Sequence, residues 1–394
     1  MSLLVLNAGS SSLKFQLFDN ELTSQLSGQV DWRGGKSSAE LILQPPNGPE
    51  HRQDVDVRDS AAAAELLFRD EIGDRTRSGL LAIGHRVVHG GTRFQATTRI
   101  DDAVEGEIQH LVELAPLHNP PALAVIEAAK RARPGVPQFA VFDTQFYAHL
   151  PEVARTYAVP RSWTKDQGIR KFGFHGISHA YCAGRASEIL GRDPKALRLV
   201  VCHLGNGCSA TAIAAGQPVD TTMGFTPLAG LVMGTRSGDV DPGVLLYLLR
   251  ERGFTAERID DELNHASGLL GVSGVSSDYR AVEKAAGAGN ADARLALEIY
   301  ATRVRAKVGA LAATLGGLDA LVFAAGVGEN SASLRASVCE NLGFLGVKLD
   351  PGLNAGHPVD ADIATVDSPV RVLVIHTQEE LMIAREVLRK LGTP

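Results

Sequence analysis

Apolar positions along the 394-residue chain fall into two alternating patterns. Short apolar or period-2 runs at 3–6, 13–18, 81–88, 138–142, 320–325 and 371–375 read as strands. Apolar residues at helical spacing mark helices at 61–70, 105–114, 256–265, 277–286, 291–315 and 379–391, with others starting near Pro121, Ser178, Gly243 and Ser331. Residues 22–58 read as two or three short strands, broken at Gly34-Gly35 and Pro45-Pro46. Strands interleaved with helices predict an α/β protein. A chain of this length exceeds the size at which one core keeps growing, so two domains are expected.

One stretch, 220–243, has neither period. Five glycines and two prolines interrupt it, yet it carries Met223, Phe225, Leu228, Leu231, Val232 and Met233. A solvated connector has no use for so many apolar groups, so the loop is expected to be packed and functional. Its arginine, Arg236, sits among glycines that let a ligand approach the backbone.

The segment Asn7-Ala8-Gly9-Ser10-Ser11-Ser12 joins the first two strands as a hairpin tip rich in N–H groups and hydroxyls, equipment for a phosphate, with Lys14 just beyond. An ordinary polar hairpin would look the same, and the spacing is not that of a P-loop. A second segment matches it without gaps at an offset of 196: Val5 falls over Val201, Gly9 over Gly205, Ser10 over Asn206. Strand, tip and return strand coincide, which suggests a duplicated two-domain protein with a ligand between the halves, against chance likeness of two glycine-rich hairpins.

Other chemistry gathers at strand ends. Arg86 precedes His89-Gly90-Gly91 at the close of one strand, and Asp143 stands at the tip of another, where open α/β sheets place reactive groups. Asp143 serves equally well as a cap for the following turn. His175, between Phe174 and Gly176 ahead of a helix, is placed to meet an anion, whereas His179 inside that helix reads as structural. Gly326-Val327-Gly328 after a strand reads as a nucleotide-type turn without the third glycine of a dinucleotide fingerprint. Glu379 and Glu380 open the last helix, suited to its dipole or to a metal. These groups suit phosphoryl transfer, which needs charge neutralisation and in-line positioning more than covalent work. No G-x-S-x-G elbow supports a serine nucleophile.

Composition narrows the picture further. Net charge is −6 with 44% apolar and 21% charged residues, and no basic block points to nucleic acid. Cysteines 182, 202, 208 and 339 lack zinc or C-x-x-C spacing and read as reduced and buried, consistent with a cytoplasm. The N-terminal run is read as a strand and not a signal peptide, and no apolar stretch is long enough for a membrane span.

Asn7–Phe15, Gly84-His85-Arg86-Val87-Val88-His89-Gly90-Gly91, Phe172-Gly173-Phe174-His175-Gly176, His203–Gly207 and the loop through Gly234-Thr235-Arg236-Ser237-Gly238-Asp239 together resemble the acetate kinase family over essentially the whole chain. The resemblance implies two duplicated ribonuclease H-like, actin-like ATPase domains with a nucleotide cleft between them: 1–145 plus 380–394, and 146–379, the latter with the nucleotide side and a homodimer interface. It also implies reversible transfer of the ATP γ-phosphoryl to acetate, giving acetyl phosphate and ADP, with Mg²⁺ or Mn²⁺. Arg86 and Arg236 would hold carboxylate and phosphoryl, His175 would stabilise the transition state, and Asp143 would orient an arginine or the metal's water. Asn7 and Glu379 would attend the metal. Ser12, Lys14, His203, Leu204, Gly205, Asn206 and Gly207 would meet phosphates. Asp278, Tyr279, Arg280, Gly326, Val327, Gly328, Glu329 and Asn330 would line the nucleoside, and Val88, Leu117, Phe174 and Pro227 a methyl pocket. Gln145, Tyr147, Ile177, Cys208, Ala325, His376 and Gln378 depart from the usual pattern, and Ala325 and Gln378 bear on nucleotide affinity and metal placement. A propionate kinase and an ATP-binding regulatory module of the same superfamily are the other readings.

Overall fold

A computed structural model describes residues 2–9, 11–32, 39–46, 48–76 and 79–392. Ser10 and Gly34-Gly35, on which two expectations fall, lie outside them. The chain forms two compact units, Met1–Ala148 with Gln378–Pro394, and His149–Thr377. Gln378 and Glu379 thus belong to the first unit.

The first unit holds an eight-stranded sheet: β1 (Ser2–Ala8), β2 (Ser12–Phe18), β3 (Ser24–Asp31), β4 (Ala39–Gln44), β5 (His51–Val55), β6 (Leu80–Val87), β7 (Thr98–Arg99) and β8 (Gln138–Phe142), in the order β5-β4-β3-β2-β1-β6-β8-β7. The second holds six: β9 (Arg198–Leu204), β10 (Cys208–Ala214), β11 (Gln217–Thr221), β12 (Ala320–Ala324), β13 (Ala361–Asp362) and β14 (Arg371–Ile375), in the order β11-β10-β9-β12-β14-β13. Strands β3-β2-β1-β6-β8-β7 and the whole second sheet share one plan. An antiparallel hairpin leads to two parallel strands and an antiparallel edge.

The 196-residue offset carries the bounds of β1 and β2 onto those of β9 and β10. The pairing itself is one residue out of step. Ala8 faces Leu13, whereas Leu204 faces Cys208, so the second tip is tighter. It closes by Gly205 N–H donating to Gly207 O at 3.1 Å, and the first by Gly9 N–H to Ser12 O at 2.8 Å.

Both faces of β1 are buried. Leu4 and Leu6 join a core with Phe15, Ile83 and the helix Asn119–Ala132. Gly84 on β6 admits the helix Glu379–Leu391, since a Cβ there would lie 2.9 Å from Ile383 Cγ2 and 3.0 Å from Val387 Cγ2. That close approach sets the first turn of the last helix beside the end of β1. Gln145, a departure from the family pattern, fixes the same helix lower down: its amide donates to Glu386 Oε2 at 3.2 Å while its carbonyl accepts the Phe142 N–H at 3.1 Å. After β6, Asn119 clamps the turn by accepting the His89 N–H and donating to the His89 carbonyl.

His85, on β6, is buried with Nε2 donating to Gln138 Oε1 at 2.6 Å. Burial lowers its pKa to about 4, against a raising hydrogen bond from Gln138. A folded pKa below the unfolded one means that unfolding takes up a proton between the two. The stability tied to neutral His85 is therefore complete above about pH 6.5 and is lost as pH falls towards about 4, on the order of 3 kcal/mol in all. We expect urea unfolding of His85→Gln to show a slope of stability against pH in this window that is about one proton smaller than the wild type's. Equal slopes would mean that His85 is not held neutral.

Candidate active site

In the first unit, β1, β6 and β8 run parallel in register, and their carboxyl ends bring Asn7, Arg86 and Asp143 together. Asp143 is buried, its N–H bonded to the Val87 carbonyl. Its carboxylate accepts from Arg86 Nε at 3.2 Å and from Nη2 at 2.5 Å, the two-pronged geometry that fixes a guanidinium plane. Asn7 Oδ1 accepts from Arg86 Nη1 at 3.4 Å, while its Nδ2 donates to Glu379 Oε2 at 3.2 Å and to Glu380 Oε1 at 2.9 Å. Burial disfavours the Arg86 charge, but Asp143, Glu379 and Glu380 outweigh it and raise its pKa. Arg86 stays a cation.

Glu380 belongs to this cluster as much as Glu379. Its position in a helix's first turn was visible in the sequence, but its contact with Asn7 spans 373 residues. The donor set fits Mg²⁺. Among the described residues no three His, Cys, Asp or Glu side chains gather to hold a metal alone. Mg²⁺ commonly takes one or two carboxylates and completes its shell with water and substrate phosphate. Lys14 is exposed, opposite Asn7 in the β1–β2 ladder, and Ser12 begins β2 half-buried. Val88 is buried, whereas Leu117 is exposed.

In the second unit, His175 is the residue before the helix Gly176–Leu190, held in the left-handed region at φ 56. Its ring stacks on His203 with centroids 4.1 Å apart and planes 24° apart. His175 Nδ1 lies 2.9 Å from Ser209 Oγ, and His203 Nδ1 lies 2.8 Å from Ser178 Oγ. Ser178 also bonds Thr377 Oγ1 at 2.9 Å. His179, read from the sequence as structural, is fully buried, and its Nε2 is 2.8 Å from the same Ser209 Oγ.

The loop between β11 and the helix Pro242–Glu251 is packed as expected, with Met223, Leu231 and Met233 fully buried. Its middle docks on the second tip, where Gly234 N–H donates to Asn206 O at 3.0 Å. Arg236 Nη1 donates to the Pro227 carbonyl at 2.8 Å. A Cβ on Gly207 would come within 2.7 Å of Arg236 Nη2 and 3.3 Å of His175 Nε2. Gly207 therefore keeps the tip low enough for both. Phe174 and Leu204 are buried beside them in sequence, and Pro227 is half-buried. Cys208 at the tip is within 2.9 Å of Tyr300 Oη and donates to Gly205 O. Burial pushes its thiol up to about 11.

Asp278 caps the helix Tyr279–Gly287 by accepting the Arg280 N–H, and Arg280 folds back on it at 2.7 Å. Tyr279 is buried. The Gly326–Asn330 segment corrects its reading as a turn. It forms a short helix, Ala325–Asn330, with Asn330 bonded back to Gly326 O and Glu329 bonded to His376 Nδ1 and the Thr377 N–H. Ala325 enters it at φ 63. An L-residue there is strained by about 1–2 kcal/mol, where a glycine would not be. We expect Ala325→Gly to stabilise the protein by about 1 kcal/mol once the looser unfolded chain is deducted, read from urea unfolding. A loss of stability would mean that the alanine side chain is needed for packing.

Two sheets of one plan, a glycine-tipped hairpin in each, and a guanidinium clamped at a strand's carboxyl end define an α/β protein of the duplicated, actin-like ATPase class. The acetokinase family model matches residues 2–385. The chain is similar to proteins named acetate kinase, 53% identical to that of Gloeobacter violaceus over 99% of this chain and 100% of the relative, and 49% to that of Nostoc sp. over 98% of each. Among solved structures it resembles Porphyromonas gingivalis acetate kinase, with TM-score 0.89, 41% identity and 99% coverage of both chains. It also resembles a propionate kinase from Francisella tularensis, with TM-score 0.90, 37% identity and 98% coverage of both. The chain belongs to the acetokinase family.

Proposed function

We propose that this protein is an acetate kinase, reversibly transferring the γ-phosphoryl of ATP to acetate to give acetyl phosphate and ADP. The observation that carries the reading, within this family, is Arg86 held flat by Asp143 at the end of β6. A carboxylate nucleophile is already ionised and needs no base. Asp143, with both oxygens committed to Arg86, serves as the orienting partner, and Arg86 neutralises acetate and the moving phosphoryl. Arg236 supplies the second cation, and His175 donates to the phosphoryl oxygens. Asn7 and Glu379, with Glu380 beside them, would hold Mg²⁺, whose chemistry is to neutralise the phosphate charge. Lys14, Ser12 and the tip from His203 to Gly207 would meet phosphates. Asp278 to Arg280 and Gly326 to Asn330 would line the nucleoside, while Val88, Leu117, Phe174 and Pro227 would wall the methyl group.

The test is acyl phosphate trapped by hydroxylamine from Mg-ATP with acetate, propionate and butyrate, beside ADP release without any acid. Signal that requires a carboxylate and falls with chain length supports acetate. A maximum at propionate would favour the second reading, to which the likeness to a propionate kinase lends weight; one methylene is worth only about 1–3 kcal/mol. ADP release indifferent to acid would leave an ATP-binding module.

We also propose a homodimer formed through the second unit. The helix Pro242–Glu251 buries none of its residues and leaves Val244, Leu246, Tyr247 and Leu249 between 41% and 48% exposed, an apolar face that suits a second copy. Leu246→Glu with Leu249→Glu is expected to halve the mass measured by light scattering; an unchanged mass would place the contact elsewhere. The buried thiols suit a reducing cytoplasm, and among the described residues no helix is long and apolar enough to cross a membrane.

A further inference from the structure

Ser209 is buried on β10 with its hydroxyl between two histidine rings, 2.9 Å from His175 Nδ1 and 2.8 Å from His179 Nε2. The two histidines stand four residues apart across the start of one helix, and the His179 N–H donates to the His175 carbonyl at 2.9 Å. One hydroxyl carries one proton. If it is given to one ring, the other ring must supply an N–H to the oxygen, and the direction of this chain decides which nitrogen of His175 bears hydrogen.

We propose that Ser209 and His179 are positioning residues that lock His175 as the Nε2–H tautomer. This rests on the role given above to His175 as donor to the transferring phosphoryl. His179 Nε2–H donates to Ser209 Oγ, and the Ser209 hydroxyl donates to His175 Nδ1. The only nitrogen left to carry the His175 proton is Nε2. The reverse direction would place the proton on Nδ1 and present a lone pair to an anionic phosphoryl group, which repels it.

The surroundings favour a neutral chain. His179 is fully buried, and burial first, then the neighbouring His203, holds its pKa well below the ordinary value. His203 stacks against His175 and is itself fixed by Ser178, so the His175 ring is held by its face as well as by its edge. A lone serine beside a histidine would orient it but leave the tautomer open. With His179 on its other side, the single hydroxyl proton couples the two rings, so that His179 as the Nε2–H form sets His175 as the Nε2–H form.

The experiment compares Ser209→Ala, His179→Gln and His179→Leu with His175→Ala, measuring kcat, KM for both substrates, and ¹⁵N ring shifts of histidine-labelled enzyme. Ser209→Ala and His179→Leu are expected to lower kcat by about 10²-fold, the scale of a misplaced group, with KM for ATP within about threefold. His179→Gln, which keeps an N–H donor towards Ser209, is expected to recover most of that loss. Ser209→Ala combined with His179→Leu is expected to be no slower than either alone, because both break one chain. The wild-type spectrum should show His175 with a bare Nδ1 and a protonated Nε2, and Ser209→Ala should mix the tautomers. A protonated Nδ1 in the wild type overturns the proposal, as does a Ser209→Ala enzyme with unaltered kcat while His175→Ala is inactive. An active His175→Ala enzyme would instead overturn the role of His175 itself. Should His179→Leu fail to fold, Ser209→Ala and His179→Gln carry the test.

Discussion

Arg86→Ala is expected to lower kcat by on the order of 10³-fold or more, the scale on which arginines matter in phosphoryl transfer. It should also destabilise the protein by about 3–5 kcal/mol, because Asp143 would be left as a buried carboxylate without its cation. Both effects come from the same geometry. The Arg86 side chain is 16% exposed and that of Asp143 only 2%, so water cannot replace the guanidinium on the Asp143 side. Asn7 adds to the loss, since its carbonyl faces Arg86 while its amide holds Glu379 and Glu380. With the arginine gone, those three carboxylates lose a cation that each of them interacts with.

Arg86→Lys separates charge from shape. An ammonium restores part of the stability but cannot make the two-pronged contact to Asp143, so activity should stay low. The rate is read with acetate and Mg-ATP, the stability by urea unfolding. A variant within about tenfold of the wild-type rate would remove Arg86 from the reaction. Normal stability with lost activity would mean that Asp143 finds another partner.

How far this site was legible in the sequence depends on the distance over which each part was assembled. The strands, the duplicated hairpin and the packed loop around Arg236 all rest on local patterns of apolar residues and glycine, and their bounds fell within a residue or two of the structure. Arg86 and Asp143 were recognisable singly, each at the end of a strand. That Asp143 would orient an arginine came only with the family resemblance, and that the arginine is Arg86 was not legible, because parallel strands joined by crossovers carry no local mark of which ends are neighbours. Asn7 meets Glu380 only because the chain's last helix returns to the first unit, seated by Gly84. The contact of His179 with Ser209 was hidden for a related reason: nothing local to a helix shows which strand residue it will meet. The pairing of the second hairpin, one residue tighter than the first, was hidden as well. Gapless similarity aligns strands but says nothing of how each tip closes. Gly326–Asn330 read as a turn because glycines usually interrupt helices, whereas tertiary packing here keeps them in one.

Arg236→Ala should match Arg86→Ala in rate and differ from it in stability. Arg236 is half-buried on a loop, and the hydrogen bond it gives to the Pro227 carbonyl is about 1 kcal/mol to lose where that carbonyl is partly open to water. Turnover should fall by about 10³-fold, as for a cation that acts on the developing charge. ATP binding should change by less than about threefold, since the tip and its N–H groups remain. Calorimetric titration of ATP beside kcat tests the split: a large loss of ATP affinity would make Arg236 a nucleotide contact and not a transfer residue. Gly207→Ala probes the same space from below. Its added Cβ would sit 2.7 Å from Arg236 Nη2 and 3.3 Å from His175 Nε2, so it must push one or both away from the tip. Displacement by about 1 Å costs on the order of 10²-fold in rate where positioning dominates. If Gly207→Ala slows turnover in wild-type enzyme but has no further effect in Arg236→Ala, the fork of Arg236 is the group that the glycine accommodates; additive losses would assign that role to His175.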